Sequence, residues 1–552
     1  MPKKVLLICA VWLAPSCVCW GQGYGSISGT VSDASGAVVP GATITAFEAA
    51  TKIGTTGKSN SEGQYNLIQL RPGLYDITAE ANGFKMLSRP NINVDVAGRV
   101  TLDLRLEVGG TSETVAVTAE APQLRTQDAQ TGEVIDSTMI KNLPQLNRDP
   151  LELLQLSGNV YGTGLSSNGS SPISNNPAVG SNDSSGNLSL AGGRTGSLDY
   201  AVDGQNINSG RGHEVLSNGI PTMESVAEFK VITGGMSAEY GRSSGGIVEV
   251  VTRGGTNQLH GQGFEFFRNN MLNANSWLQN ATGGQATIYK QNIYGGDLGG
   301  PVVLPKIYNG RNKTFWYFNY QGTKLRQAAV NMLGGVPTAA ERTGNMTDTL
   351  YNGVSPLMYD PLGSYTGTGT NLTRTTLLGG NGLIVPASRI DPMSAAILAD
   401  LPLPNRPATP GFSDVDNYEG QQSTGTNAYT WNFRIDENIT DQQRFFFRLK
   451  RDDYDNVNSE WMGVLNPPMA VQMKEGLNTD LNYTFTISPT MVLTARMGVD
   501  AVPSLSGPVL SSDFNASDFP YDPAVKDWTA PGRLDFSTIL GSNGGWGGSR
   551  LN

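Results

Sequence analysis

The feature that most constrains this chain lies in its second half, where segments of about ten residues alternate strictly in polarity. Tyr429, Trp431, Phe433 and Ile435 share one parity, while Thr430, Asn432, Arg434 and Asp436 share the other. After a short connection, Phe445, Phe447 and Leu449 oppose Phe446, Arg448 and Lys450. A second pair repeats the pattern. Leu481, Tyr483, Phe485 and Ile487 alternate with Asn482, Thr484 and Thr486, Ser488-Pro489-Thr490 turns the chain, and Leu493, Ala495, Met497 and Val499 return. Successive side chains of a strand point to opposite faces, so each segment predicts a strand with one apolar and one polar face. Seven such strands are expected, at roughly 258–268, 287–298, 313–323, 427–436, 443–453, 478–488 and 491–501. Short turns on one side and long loops on the other are what a lipid-facing antiparallel barrel demands. A soluble sandwich gives the same alternation but does not explain the loops.

Composition agrees with an all-β class. Charged residues are 16% and glycine is 68 of 552, which suits short strands and polar loops rather than a helical enzyme. Mean hydropathy of −0.25 excludes a multi-helix membrane protein. Acidic residues outnumber Lys and Arg by 48 to 38, the wrong sign for a nucleic-acid binder, so no nucleic-acid partner is expected. The chain opens with Lys3 and Lys4, an apolar run from Val5 to Leu13, then Pro15 and small residues to Gly21, which reads as a secretory signal over residues 1–21. Cys9, Cys17 and Cys19 all fall inside it, leaving no thiol for disulfides, metal or nucleophilic catalysis after cleavage.

Between Ile27 and Leu106, short alternating strands are punctuated by turn residues. Ser28-Gly29-Thr30-Val31-Ser32-Asp33, Pro40-Gly41-Ala42-Thr43-Ile44, Ser61-Glu62-Gly63-Gln64-Tyr65 and Pro72-Gly73-Leu74-Tyr75 resemble the carboxypeptidase regulatory-like domain. That resemblance implies a transthyretin-like, carbohydrate-binding-like β-sandwich over residues 22–108 with no catalytic residues of its own. It is read first as a folding or spacing module and second as a glycan binder.

Next comes the extended, β-branched heptad Glu113, Thr114, Val115, Ala116, Val117, Thr118 and Ala119, flanked by Gly109-Gly110 and Pro122 and with no partner strand obvious in its neighbourhood. An unpaired strand of this kind is open to capture, main chain to main chain, by another protein's sheet. Its residue order resembles the TonB box, by which receptors of the TonB-dependent type are grasped by a periplasmic energy-coupling protein. The heptad lies in an expected linker, 109–123.

Residues 124–255 resemble the plug domain of those receptors. Ile140 to Asp149 followed by Leu151 to Leu156 looks like a first strand-turn-helix, and Leu190 to Arg194, Tyr200 to Gly204, Ile220 to Val231 and Ala238 to Asn257 follow in the plug's order. Gly241, Gly245 and Gly246 are expected to allow tight turns and close backbone approach, and Ile247 to Val251 a buried strand. The last stretch resembles the Oar-like receptors, as do Val336 to Arg342, Tyr359-Asp360-Pro361, Arg389 to Pro392 and Leu401 to Asn405 within an expected loop from about Lys324 to Asn427.

The resemblance therefore implies an Oar-like TonB-dependent receptor of the Gram-negative outer membrane: sandwich, mixed α+β plug, then over 256–552 the first strands of a large antiparallel transmembrane barrel with long extracellular loops. It implies outer-membrane lipid, a TonB-like protein and an extracellular ligand (oligosaccharide, siderophore, peptide or protein) as partners. Seven strands against about 22 in large plugged barrels mark the chain as part of a longer protein. A surface glycan-binding or adhesive protein, and a ligand-sensing receptor without transport, are the competing readings.

Chemistry is not expected. His213 and His260 stand in Gly-rich loop contexts without ligand partners, Asn182 and Asp183 lack calcium-loop spacing, and no nucleophile elbow is present. No catalytic residue, metal or cofactor is predicted.

Overall fold

A computed structural model describes residues 24–109, 130–143, 150–161, 198–208, 219–236, 243–282, 288–356, 383–456, 469–488, 491–501 and 504–508, with a few shorter pieces between them. The expected leader with its cysteines, His213, Asn182 and Asp183 lie outside the described residues.

Strands β1 (Gly25–Asp33), β2 (Thr43–Glu48), β3 (Gly54–Lys58), β4 (Gln64–Leu70), β5 (Gly73–Glu80), β6 (Met86–Val94), β7 (Arg99–Thr101) and β8 (Leu104–Leu106) build two sheets. One runs β4-β1-β7 with β8 also beside β1; the other runs β3-β2-β5-β6. Alternation sets the core: Ile44 and Ala46 of β2, Tyr65 and Leu67 of β4, and Tyr75, Ile77 and Ala79 of β5 meet Ile27, Val31, Leu104 and Leu106 between the sheets. Full burial of each large aliphatic side chain there is worth about 1.5–3 kcal/mol.

A ninth strand, β9 (Thr114–Ala116), continues the second sheet parallel to β6, with Met86 opposite Thr114, Leu87 opposite Val115 and Ser88 opposite Ala116. The expectation that the heptad lacks a neighbouring partner strand is thus corrected for three of its residues. Without β9, β6 would end the sheet with a row of unsatisfied backbone groups, which an extended β-branched segment complements. Glu113, Val117, Thr118 and Ala119 lie outside the described residues.

The second unit contains β10 (Thr131–Ile135), β11 (Val160–Tyr161), β12 (Ser189–Leu190), β13 (Leu198–Val202), β14 (Gln205–Asn206), β15 (Val226–Gly234) and β16 (Gly246–Thr252). Five of them form a mixed sheet of order β10-β15-β16-β13-β14. Its central strand β16 is buried at all seven positions, as a strand with neighbours on both sides and both faces requires. Of the glycines singled out there, Gly246 is the one held by geometry: its φ is +142° and an added Cβ would lie 2.7 Å from the Ile232 carbonyl oxygen, whereas Gly241 faces open space. The first helix spans Ser137–Asn142, starting before the predicted position because the Asp136 carboxylate accepts the Thr138 and Met139 amide hydrogens, each at 2.8 Å. Pro150–Leu156 is a 3-10 helix.

The third unit is a large antiparallel sheet. Strands β17 (His260–Asn269) and β18 (Tyr289–Pro301) are followed by a small hairpin, β19 (Val303–Leu304) and β20 (Tyr308–Asn309), and by β21 (Thr314–Gly334). A long connection carries β22 (Tyr365–Thr366), β23 (Thr373–Arg374) and a helix at Pro392–Asp400 before β24 (Tyr418–Thr440), β25 (Gln443–Asn456), β26 (Met469–Ser488), β27 (Met491–Ala501) and β28 (Ser504–Pro508). Neighbours in sequence are neighbours in space, β17-β18-β21-β24-β25-β26-β27, and β28 joins the far end of β26. All seven predicted strands are present, and β28 is an addition. The loop expected from 324 to 427 is shorter, because β21 and β24 stay paired out to Gly334 opposite Tyr418. At 21 and 23 residues these two strands are about twice the length a membrane crossing needs.

Candidate functional site

The large sheet is inside out relative to a soluble protein. Asn319 and Gln321 of β21, Thr430, Asn432, Arg434 and Asp436 of β24, Arg448, Lys450 and Asp452 of β25, and Asn478, Asp480, Asn482 and Thr484 of β26 are buried. The opposite parity faces out: Phe267, Phe318, Leu481, Ile487, Leu493, Met497 and Val499 are exposed. Apolar side chains turned outward along an entire sheet are stable only against lipid, and this removes the soluble-sandwich reading of the alternation. On the outer parity, Tyr294, Tyr320, Trp431 and Tyr429 form a chain of ring contacts with centroids 5.7–6.4 Å apart, the amphipathic belt expected at a membrane interface.

The polar face is covered by the five-stranded mixed sheet, and the contact centres on Asp203. This residue and Gly204 form the two-residue turn between β13 and β14, both with positive φ, +51° and +80°. Asp-Gly is a favoured pair for such a turn. The turn aims the Asp203 carboxylate at the large sheet, where Arg434 Nη1 approaches to 3.0 Å and Arg448 Nε to 3.2 Å. The Thr252 amide and hydroxyl donate to the same carboxylate at 3.0 and 2.7 Å. Burial alone raises a carboxyl pKa, but Arg434, Arg448 and the Thr252 hydrogen bonds outweigh it and hold Asp203 at about 2. Arg434 is itself forked onto Asp436 through Nε and Nη2, its guanidinium 4.3 Å from the centre of the Phe446 ring.

Other contacts across the same boundary are polar. Asn432 Nδ2 donates to Thr222 Oγ1 at 3.2 Å and, within the large sheet, to Asn319 Oδ1 at 3.1 Å, while the Thr222 hydroxyl donates across the boundary to Asn319 Oδ1 at 2.6 Å. The Tyr317 hydroxyl donates to the Glu224 carbonyl at 2.9 Å. Arg148 pairs with Glu224 and lies over the Phe266 ring, 3.8 Å from its centre. Glu249 of β16 is fully buried; burial pushes its carboxyl up to about 8 against the opposing pull of Arg496.

The sandwich is keyed to both neighbours. Arg71 meets Asp436 at 3.3 Å, so an unbroken chain of charges runs from the sandwich through Asp436 and Arg434 to Asp203. Arg444, at the start of β25, donates to the Gln69 and Gly54 carbonyls at 3.4 and 3.3 Å and to Thr55. Lys230 of β15 donates to the Ala97 carbonyl at 3.1 Å, and Glu228 accepts from the Val96 amide. Burial raises the Glu228 carboxyl to about 7.

Sequence reasoning singled out the stretch Tyr200 to Gly204, and its Asp203 lies at this centre. It missed Arg434, Arg448 and Arg71, which bring Asp203 and the sandwich to one sheet. The available signal was that Arg434 and Arg448 fall on the polar parity of their strands, beside Asp436 on one and Lys450 and Asp452 on the other. Thr114, Val115 and Ala116 lie apart from this centre, on the sandwich. His260 is exposed at the start of β17, with Nδ1 2.9 Å from the Gln258 carbonyl oxygen. Among the described residues no cluster of His, Cys, Asp and Glu has metal-binding geometry.

Comparison with known proteins follows the same division. The family model of the outer membrane beta barrel domain matches residues 251–549, and that of the carboxypeptidase regulatory-like domain matches residues 26–107. Over 277 residues the chain is 25% identical to the TonB-dependent transporter Oar of Myxococcus xanthus, covering 49% of this chain and 24% of that one. The chain thus spans about a quarter of that relative's length. Among solved structures, the outer membrane transporter YddB from Escherichia coli aligns at 10% identity and a TM-score of 0.35, over 66% of this chain and 38% of that one. Catechol 1,2-dioxygenase of Acinetobacter radioresistens aligns at 12% identity and a TM-score of 0.14, over 18% and 57%.

Proposed function

From the premise that the chain belongs to the outer membrane beta barrel domain family, whose model covers residues 251–549, we propose that it is an energy-coupled receptor that admits an extracellular ligand to the periplasm. The outer membrane is its location, in keeping with the lipid-facing parity of β17 to β27. In this reading residues 22–108 are a sandwich that docks beneath the barrel, 109–123 a linker with the coupling strand Glu113–Ala119, 124–255 the plug, and 256–552 barrel wall. The partner is a TonB-like periplasmic protein, a reading supported by the likeness to the TonB-dependent transporter of Myxococcus xanthus and by the heptad itself.

The observation that carries this proposal is the chemistry of the contact around Asp203. A plug that must shift and return cannot be held by an apolar core, because each opening would expose that core to water. Here the joint is made of ion pairs and amide hydrogen bonds, which water replaces as the surfaces part. Ligand captured by the long connections and by the plug's outer loops is admitted when a pull on Glu113–Ala119 disturbs that joint. The work is mechanical, and no bond in the ligand is made or broken.

The test is direct. A peptide spanning Glu113 to Ala119 is expected to bind the C-terminal domain of a TonB protein as an added strand, and Val117→Pro to abolish binding by removing a ladder donor. Equal binding by the proline peptide sinks the strand-addition reading.

A further inference from the structure

Within the coupling heptad, Thr114–Ala116 is the terminal strand of the sandwich sheet, in the order β3-β2-β5-β6-β9. A strand has two hydrogen-bonding edges, and β6 occupies one of them. No described strand pairs with the other. We propose that the sandwich is the platform from which the coupling strand is presented: the partner's strand adds to the outer edge of β9, and the sandwich sheet and the partner's sheet become continuous. This rests on the coupling role given to the heptad above.

Two physical points support presentation over concealment. Ordering a free peptide costs about 1–2 kcal/mol of backbone entropy per residue, and in Thr114–Ala116 folding has already met that cost. The occupant that an open edge accepts is another extended backbone, since the exposed groups are alternating N–H donors and C=O acceptors. The arrangement also fixes where force arrives. A partner gripping β9 pulls on β6, hence on the sandwich, whose contacts with the rest of the protein include Arg71 to Asp436, Arg444 to Thr55 and Lys230 to Ala97. The Arg71 contact is one step from the Arg434 grip on Asp203. The sandwich, not the plug, is then the first body to move.

A reversible lock tests this. Ser88 and Ala116 are direct neighbours on adjacent strands, which lie about 4.8 Å apart, inside the Cα separation a disulfide spans. The double variant Ser88→Cys/Ala116→Cys is made in the full chain with Cys9, Cys17 and Cys19 as serine. The probe is a purified TonB C-terminal domain, measured against the oxidised chain, the same chain reduced, and a free peptide of residues 113–119. Presentation predicts that the disulfide forms and that the oxidised chain binds at least as tightly as the reduced one and about tenfold more tightly than the peptide. Weaker binding on oxidation, reversed by reductant, shows instead that pairing with β6 hides the strand, and overturns the proposal. Failure of the disulfide to form in a chain that unfolds at the normal temperature removes the β6 pairing and overturns it too. A peptide that does not bind at all overturns the coupling role itself, an outcome the other two arms do not produce.

Discussion

Asp203, in the turn after β13, and Glu249, on the neighbouring strand β16 of the mixed sheet, respond oppositely to pH. Asp203 is held at about 2, below its ordinary 3.8, so its contribution is fully present above pH 3.8 and disappears only as pH falls through about 2. Glu249 is pushed up to about 8 from 4.5 by burial, with Arg496 the main opposing charge and Asp203 and Asp199 reinforcing the shift. A carboxyl raised in this way is protonated in the folded protein while the unfolded chain has already lost its proton. Stability therefore drains away as pH rises from about 4.5 towards 8. Glu249→Gln should match the native protein near pH 4 and exceed it by about 3 kcal/mol at pH 7 in urea denaturation followed at the mixed sheet. Parallel pH profiles for the two proteins would show that Glu249 is ionised in the fold.

At the scale of the element, the strands are defined by which parity meets lipid. Arg496 and Met497 are adjacent on β27, yet Arg496 lies within electrostatic reach of Glu249 while Met497 is 59% exposed. Exchanging chemistry between the two faces should be costly in a depth-dependent way. Met497→Arg places a charge against hydrocarbon and is expected to cost about 2–4 kcal/mol if that position lies near the bilayer midplane, lowering the fraction of protein assembled in outer membranes. Met497→Leu should leave assembly unchanged. The reverse result, a tolerated arginine, would mean that this parity does not face lipid. The alternation itself was legible in the sequence because a period of two needs only consecutive residues. The added length of β21 and β24 was not: from Arg326 to Gly334 β21 runs through Ala328, Ala329 and Val330 without alternating polarity, and before Asn427 β24 runs mostly through Gly, Ser, Thr and Gln, so neither extension carries a period-two signal.

Across the whole molecule, three bodies share one polar joint. The sandwich touches the mixed sheet through Val96 and Ala97 and the large sheet through Arg71 and Arg444. Removing both arginines should free the sandwich without unfolding it, since its core is apolar and internal. For Arg71→Ala/Arg444→Ala we expect hydrogen exchange at the Val96 amide to accelerate tenfold or more while amides of Ile44 and Leu67 keep their protection. Unchanged exchange at Val96 would place the dock's strength in the Glu228 and Lys230 contacts instead. The pairing of β9 with β6 belongs to this scale too, since it joins a linker to a sheet edge more than twenty residues upstream.

Local rules were enough for the β class, the seven main strands and the buried strand Ile247–Val251, because each rests on neighbours within a few residues. The burial of the polar parity, the grip of Arg434 and Arg448 on Asp203, the link to Arg71 and the seating of Thr114–Ala116 beside β6 were decided by tertiary structure alone. Arg434 is 231 residues from Asp203, and nothing in either local sequence names the other. A polar residue on an alternating strand records that it differs from its neighbours; which surface it meets is fixed only when the sheets are brought together.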